Sequence, residues 1–197
     1  METHGKASES WRIETRIASS PNDLQMVMAI RAATFLAEED HITYSDEFNG
    51  NDFVATHILV LVNGDPAGAI RIRWFQEFAV LEKVCVRNRY RSYRVFRALG
   101  DAAMKQLRRK GWRIAIGRAR GDTHKLWGRL FGGRPTGGPL QHRLGPVIPL
   151  IFEFSRVQGC DFSNMAFGQP DVEDLIGQVE GQWDFSRMRI ATYNAAE

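Results

Sequence analysis

The chain has 197 residues, 44% of them hydrophobic, 11% aromatic and 25% charged, a composition that fits one folded domain and excludes disordered and fibrous classes. Its net charge is only +3, but the charge is segregated: Arg87 to Arg143 carries sixteen Lys and Arg against Asp101 and Asp122, a surplus of 14, while the remainder is acidic by 11. No apolar run approaches the roughly 20 residues of a membrane helix, and two distant cysteines with five scattered histidines give no ligand spacing for a metal. No membrane span and no bound metal are expected.

The opening METHGKASES contains no hydrophobic leader, so a flexible N-terminus over 1–10 and a reducing cytoplasmic location are expected. Trp11, Ile13, Thr15 and Ile17 alternate with polar residues and predict a first strand. Ser20-Pro21-Asn22-Asp23 is a helix start, with a capping serine, a proline at the first position and an early acid, and the apolar spacing predicts a helix over 21–38. Turn-forming and acidic residues fill Glu38 to Asp52. THILVLV and AGAIRIRWF around Asn63-Gly64 predict a tight hairpin. FAVLEKVCV, Phe78 to Val86, reads as a strand, with Val80, Glu82, Val84 and Val86 on one face and Leu81, Lys83 and Cys85 on the other. Phe96, Leu99, Ala103 and Leu107 predict an amphipathic helix over 93–109. A strand at Trp112–Ala119, a short helix capped by Asp122, a Gly/Pro-rich loop and a strand at Val147–Phe154 follow. Beyond Gln158 the sequence shows a short helical candidate at Asp171 to Val179 and a polar tail with Trp183 and Phe185. Residues 11–155 are therefore expected to form one α/β domain with a mixed sheet and helices on both faces, and 156–197 an extension packed on it.

The segment LEKVCVRNRYRSYRVFRALGDAAMKQLRRKGWRIAIGRA resembles the central motif of the GNAT superfamily of N-acyltransferases, and the likeness extends more weakly from about Ile13 to Pro135. The resemblance implies a single-domain, mostly antiparallel sheet with a splayed central strand pair. It also implies an enzyme that takes an acyl group from acetyl-CoA, a longer acyl-CoA or the phosphopantetheine of an acyl carrier protein. The backbone of Val84, Cys85 and Val86 would then hold the pantetheine arm. Family members build the next turn as Arg-x-x-Gly-x-Gly or Ala, which falls here on Arg91, Ser92, Tyr93, Arg94, Val95 and Phe96. The arginine is kept and the small residues are replaced. Glycines let backbone amides close on a pyrophosphate at a helix N-terminus, so Arg94 and Phe96 are expected to narrow that cradle, while Arg91 and Arg94 favour a phosphate there.

Acyl-homoserine lactone and N-acyl amino acid synthases are relatives that lack the glycine pattern and use acyl carrier protein. The front half is similar to theirs at Arg31 and Phe35, at the turn Asp46 to Asn49, and at Gly68 to Arg71, which makes Phe35 and Arg71 candidate substrate contacts. It differs at Asn49, Lys83 and Val86. Glu82 aligns with the family carboxylate that removes a proton from the attacking amine, and apolar neighbours would raise its pKa. The alternative is a structural glutamate paired with Lys83, Arg71 or Arg73. Trp127 stands where a tyrosine acid is expected, leaving that role empty or with Tyr90, Tyr93 or His124, and Trp127 itself reads as packing. Cys85, within a valine-rich strand, also reads as packing.

Two functions follow. The first is an acyltransferase acting on a small-molecule amine, with a homodimer possible. The second is a degenerate binding protein whose basic region holds nucleic acid or an acidic partner, and no recognition motif supports nucleic acid.

Overall fold

The computed structural model describes residues 11–39, 42–142 and 145–155. The expected N-terminal arm, the extension 156–197 and the helix expected at Asp171 to Val179 lie outside the described residues. The strands are β1 (Ile13–Ile17), β2 (Thr56–Val62), β3 (Asp65–Trp74), β4 (Ala79–Val86), β5 (Ile114–Arg120), β6 (Arg134–Pro135) and β7 (Val147–Glu153). They form one sheet in the order β1-β2-β3-β4-β5-β7-β6. Every pairing is antiparallel except β4 with β5. Among the described residues the α-helices are α1 (Pro21–Arg31), α2 (Tyr44–Glu47), α3 (Tyr93–Arg109) and α4 (Thr123–Phe131).

Local sequence explains most of these elements. Ser20 caps α1, its Oγ accepting from the Asp23 amide at 3.1 Å, with Pro21 at the first position. The β2–β3 hairpin turns on Asn63 (φ 52°) and Gly64 (φ 84°), the two left-handed residues that an Asn-Gly turn provides. Asp122 stands at the start of α4 but makes no capping bond; its carboxylate takes Lys125 instead, at 2.7 Å. The one-turn α2, a 3-10 turn at Gly50–Phe53 and the two-residue β6 carry no periodic signal, and the sequence shows only a loop there.

The helices divide between the two faces of the sheet. Val95, Leu99, Ala103 and Leu107 of α3 are fully buried against β1 to β4, and α4 covers β5 and β7. At roughly 2 kcal/mol for each buried aliphatic side chain, this layer is the main apolar core. On the opposite face α1 lies across β2, β3 and β4, burying Val27 and Ile30 on Leu59, Leu61, Ala69 and Cys85. Among the described residues no helix is long and apolar enough to cross a membrane.

Candidate active site

Strands β4 and β5 run together only from Ala79↔Ala115 to Leu81↔Gly117 and then part. Beyond that rung β4 stays paired with β3 alone, Cys85 opposite Ala69 and Val86 opposite Gly68. The Arg87 amide donates to the Ala67 carbonyl at 2.9 Å. Antiparallel alternation therefore turns the amide and carbonyl of Val84 and Val86 away from β3, into the gap. Cys85 faces β3 and supplies nothing to the gap, so two of the three expected strand residues have the required orientation. The foot of the gap, between Leu81, Val84, Gly117, Trp127 and Phe152, narrows to a cavity of about 10 Å³, room for about one water.

A bulge sets the face of Glu82. Arg71 opposes Glu82 and Ala69 opposes Cys85, so Lys83 and Val84 together oppose Ile70. Lys83 takes φ 53°. That extra residue switches the phase of the strand. Leu81, Val84 and Val86 pack with the α3 core, while Cys85 lies under α1. Glu82 accordingly does not share a face with Val84 and Val86, as strict alternation implied, but sits with Arg71 and Arg73. Its Oε1 accepts from Arg71 Nε at 3.0 Å and Nη2 at 2.9 Å, and from Arg73 Nε. Oε2 has a single long contact, Arg73 Nη2 at 3.5 Å. The apolar setting expected around Glu82 is absent; the ion-paired setting is present, with one oxygen lightly engaged.

Beneath α1 this pair joins a buried charge network. Arg31, fully buried, donates Nε to Glu47 Oε1 at 2.5 Å and Nη1 to Asp52 Oδ1 at 2.6 Å. Arg71 Nη1 reaches the same Asp52 oxygen at 2.6 Å and Asn49 Oδ1 at 3.2 Å. Lys83 Nζ donates to Glu47 Oε2 and to the Asp46 carbonyl, each at 2.8 Å, which anchors the bulge to α2. Burial pushes the Asp52 carboxyl upward, but Arg31, Arg71 and the Asn49 amide outweigh it and hold the group below the usual carboxylate range. His57 donates Nε2–H to the Asp52 carbonyl at 2.9 Å, and burial pulls its pKa down to about 4. Its buried Nδ1 has no hydrogen-bond partner among the described residues.

Helix α1 continues into a π-helical turn, Ala32–Leu36, a form that recurs at functional sites. This turn buries Thr34 and places the Phe35 ring 5.9 Å from Lys83 Nζ, at the partly exposed end of the network. Sequence reasoning singled out Arg31, Phe35, Arg71 and the 46–49 turn, and missed Asp52 and His57. The signal was available for Asp52, an acid three residues after a capping Asn49, and was absent for His57. Burial pushes the Cys85 thiol up to about 12, which makes it inert packing.

The turn after β4 departs from the expected phosphate cradle. Asn88–Tyr90 form a 3-10 turn and Ser92 caps α3, its Oγ taking the Val95 amide at 3.3 Å. Arg91 donates Nε to the Val86 carbonyl at 3.1 Å and pairs with Glu38. Arg94 reaches the Trp11 carbonyl at 3.4 Å. Tyr93 is exposed and the Val95 side chain is core. Phe96 does not narrow the turn: its ring packs 5.0 Å from Trp127 and 6.2 Å from Phe131. Trp127 is buried, as expected for packing, and also lines the foot of the gap. Tyr90 donates its hydroxyl to Asp65, which together with burial raises the phenol above its ordinary value and ties it to the β2–β3 hairpin. The His124 ring nitrogen Nδ1 is engaged by the Gly121 carbonyl at 2.8 Å.

Solved structures share this fold. One, an N-acetyltransferase by provisional name from Lactobacillus plantarum, superposes with a TM-score of 0.66 at 22% identity, over 73% of this chain and 99% of that one. The fold is that of the GNAT N-acyltransferases. FeeM, an N-acyl amino acid synthase from uncultured soil microbes, matches at TM-score 0.58 and 14% identity, over 75% of this chain and 93% of its own. The PaiA N-acetyltransferase of Thermoplasma acidophilum, solved with coenzyme A, matches at 0.55 and 12%, over 73% and 99%. At the sequence level, YyaT of Bacillus subtilis (strain 168), an uncharacterized protein, is 32% identical over 92 residues, 45% of this chain and 62% of that protein. A second protein of the same strain, provisionally named an acetyltransferase, is 30% identical over 96 residues, 47% and 65%. The chain thus spans less than two thirds of either relative. No family model matches it.

Proposed function

We propose that the protein transfers an acyl group from a pantetheine thioester to a small-molecule amine. The observation that carries this is the parting of β4 from β5, which leaves the backbone of Val84 without a strand partner on that edge, the Val86 carbonyl being taken by Arg91 Nε at 3.1 Å, two residues along β4 from a carboxylate, Glu82, whose Oε2 is lightly engaged. The arm of the donor lies along β4. The nitrogen of the neutral amine attacks the thioester carbonyl carbon to form the C–N bond, and Glu82 Oε2 accepts the one proton that nitrogen gives up, later returning it to solvent. The Val84 amide stabilises the oxyanion. Collapse breaks the C–S bond and releases a thiolate, which takes up a proton from solvent. A thiol of pKa near 8.5 is a good leaving group, so the reaction tolerates Trp127 in place of a tyrosine acid.

Two features refine the substrates. Because Ser92 occupies the Val95 amide and Arg91 is paired with Glu38, the turn presents little to a pyrophosphate, which favours a carrier-borne arm over coenzyme A. The charge network holds four cations, Arg31, Arg71, Arg73 and Lys83, against three carboxylates, Glu47, Asp52 and Glu82. The surplus positive charge lies at its partly exposed end, Arg73 and Lys83, and favours an acceptor that carries a carboxylate beside its amine. The reduced Cys85 suits a cytoplasmic location.

The test is single-turnover transfer from acyl-CoA and from acyl carrier protein, with α-amino acids compared against their decarboxylated amines. Glu82→Gln is expected to slow transfer by 10² to 10⁴ while donor binding, read as a thermal shift, is retained. Equal turnover by the variant across neutral pH removes Glu82 from the mechanism, and absence of any donor-induced shift removes the transferase reading.

A further inference from the structure

The cations of the buried network differ in how many of their N–H groups are taken. Arg31 engages Glu47 and Asp52 through Nε, Nη1 and Nη2, and Arg71 engages Glu82, Asp52 and Asn49 through the same three nitrogens. Lys83 is held at 2.8 Å on two sides, by Glu47 and the Asp46 carbonyl, with its side chain 17% exposed. Arg73 differs. Its side chain is 28% exposed, its Nε and, at 3.5 Å, its Nη2 meet Glu82, and its Nη1 has no hydrogen-bond partner among the described residues. A guanidinium carries five N–H donors in one planar fork, so the outer end of the fork is open although the residue is paired with Glu82. The β3–β4 turn fixes that plane. The Phe75 amide donates to the Phe78 carbonyl at 3.0 Å, the two rings stack 4.9 Å apart, and the Arg73 guanidinium carbon lies 5.2 Å from the Phe75 centroid, within cation–π range.

We propose that Arg73 selects the acceptor, its Nη1–Nη2 edge taking the carboxylate of an α-amino acid whose nitrogen meets Glu82 Oε2. The inference rests on the transferase reading and names, within it, the side chain that recognises the acceptor. Register supplies the geometry: Arg71 opposes Glu82 and Arg73 opposes Val80, so the two arginines lie on one face of β3 and flank a single carboxylate. Oε2 and Nη2 are 3.5 Å apart, which suits a ligand whose amine and carboxylate share one carbon and not one that separates them by several. The same placement gives Arg73 a second effect. Glu82 Oε1 takes Arg71 Nε, Arg71 Nη2 and Arg73 Nε, while Oε2 takes Arg73 Nη2 alone. A carboxylate bound end-on across Nη1 and Nη2 competes for that last contact and clears the oxygen that receives the proton. An amine without a carboxylate leaves Arg73 on Glu82. Selecting the acceptor and freeing the base are then one event.

The experiment measures kcat/KM on the full chain with whichever donor, acyl-CoA or acyl carrier protein, the wild type turns over. The common α-amino acids are compared with their decarboxylated amines, and norleucine with 6-aminohexanoate, in the wild type, Arg73→Met, Arg73→Lys and Arg73→Glu. The wild type is expected to prefer the α-carboxylate by about 10- to 100-fold, the range for hydrogen bonds to a charged group. That preference should vanish in Arg73→Met, persist in part in Arg73→Lys, which keeps the charge without the fork, and reverse toward amines in Arg73→Glu. Loss of a merely structural contact lowers the rates for acid and amine together and leaves their ratio as it was. An unchanged ratio in Arg73→Met therefore overturns the proposal, as does a wild-type ratio near one or equal use of 6-aminohexanoate and norleucine. Wild-type protection of α3 from amide exchange shows that a variant is folded; if Arg73→Met is not, the partial loss in Arg73→Lys supplies the same reading. Where neither donor is turned over, the transferase reading fails and calorimetry with N-acetyl amino acids against the corresponding N-acetyl amines decides the site. Binding that needs the carboxylate and is lost in Arg73→Met upholds the role of Arg73; binding that is absent, ignores the carboxylate or survives the substitution refutes it.

Discussion

His57 makes folding stability depend on pH in a window where few other groups do. The ring is buried and donates to the Asp52 carbonyl, with the guanidiniums of Arg31 and Arg71 nearby, and its pKa falls from 6.5 to about 4. Between those values the unfolded chain binds a proton that the folded chain refuses, so stability falls as pH falls from 6.5 toward 4. At 1.36 kcal/mol per pH unit the whole window amounts to about 3 kcal/mol, and reaching pH 5 accounts for about 2 kcal/mol. Against a net stability of roughly 5 to 15 kcal/mol this is large. The facing carboxylate does not share the window: Asp52, held below its usual range, stays charged through it and weakens the fold only as pH falls below about 4. The assay is urea denaturation at half-unit steps from pH 7.5 to 4.5, for the wild type and His57→Gln, whose amide keeps a donor for the Asp52 carbonyl. With a slope near 2 kcal/mol per molar urea, the wild-type midpoint should drop by about 1 M between pH 7 and pH 5. The His57→Gln profile should be flatter by that amount. Parallel profiles for the two proteins would show that His57 is not the titrating group and refute the argument.

Other substitutions probe the same architecture. A Cβ at Gly68 would lie 2.9 Å from the Cys85 carbonyl and 3.2 Å from Val86 Cγ2, so Gly68→Ala is expected to cost about 1 to 3 kcal/mol, read as a lower urea midpoint, and to weaken donor binding through the displaced end of β4. Arg31→Met removes the shared cation between Glu47 and Asp52 and should cost about 3 to 5 kcal/mol; a loss under about 1 kcal/mol in the same titration contradicts the buried pairing. Cys85, buried with its thiol pushed up to about 12, should resist alkylation by iodoacetamide at pH 8 until the chain unfolds, as followed by peptide mass spectrometry.

The elements that are periodic and locally capped were legible. Ser20-Pro21 at the start of α1, Asn63-Gly64 between β2 and β3, and the apolar stripe of α3 each follow from a rule that acts within about ten residues. That the sheet is mixed and mostly antiparallel came from element order and the family likeness, whereas the strand order and the parallel pairing of β4 with β5 were seen only in the fold. What was not legible depends on contacts made across the fold. No local rule announces that Lys83 takes a left-handed conformation, because the residue is held by Glu47 and the Asp46 carbonyl, 36 and 37 positions away. Strict alternation therefore assigned Glu82 to the wrong neighbours. Phe96 was misread for a similar reason: its place in the α3 sequence matches the pyrophosphate turn, but Trp127 and Phe131 of α4 draw its ring into the core.

Two stretches of backbone on the α1 face of the sheet break local rules, the left-handed Lys83 and the π-helical turn at Ala32–Leu36. Conformations of this kind cost on the order of 1 to 3 kcal/mol each and persist only where surrounding contacts impose them. Here those contacts belong to one charge network: Arg31, at the entrance to the π turn, and Lys83, at the bulge, share Glu47. The turn before α3 is the opposite case. Ser92 caps α3 in the ordinary way, Val95 is core, and Arg91 closes on the end of β4. Ser92 satisfies one amide at the helix start, that of Val95, whereas β4 beyond Leu81 is paired with a strand on one edge only. On the proposed transferase reading, the donor arm is therefore expected to rest on β4 rather than on the turn, and the strained elements are proposed to face the acceptor.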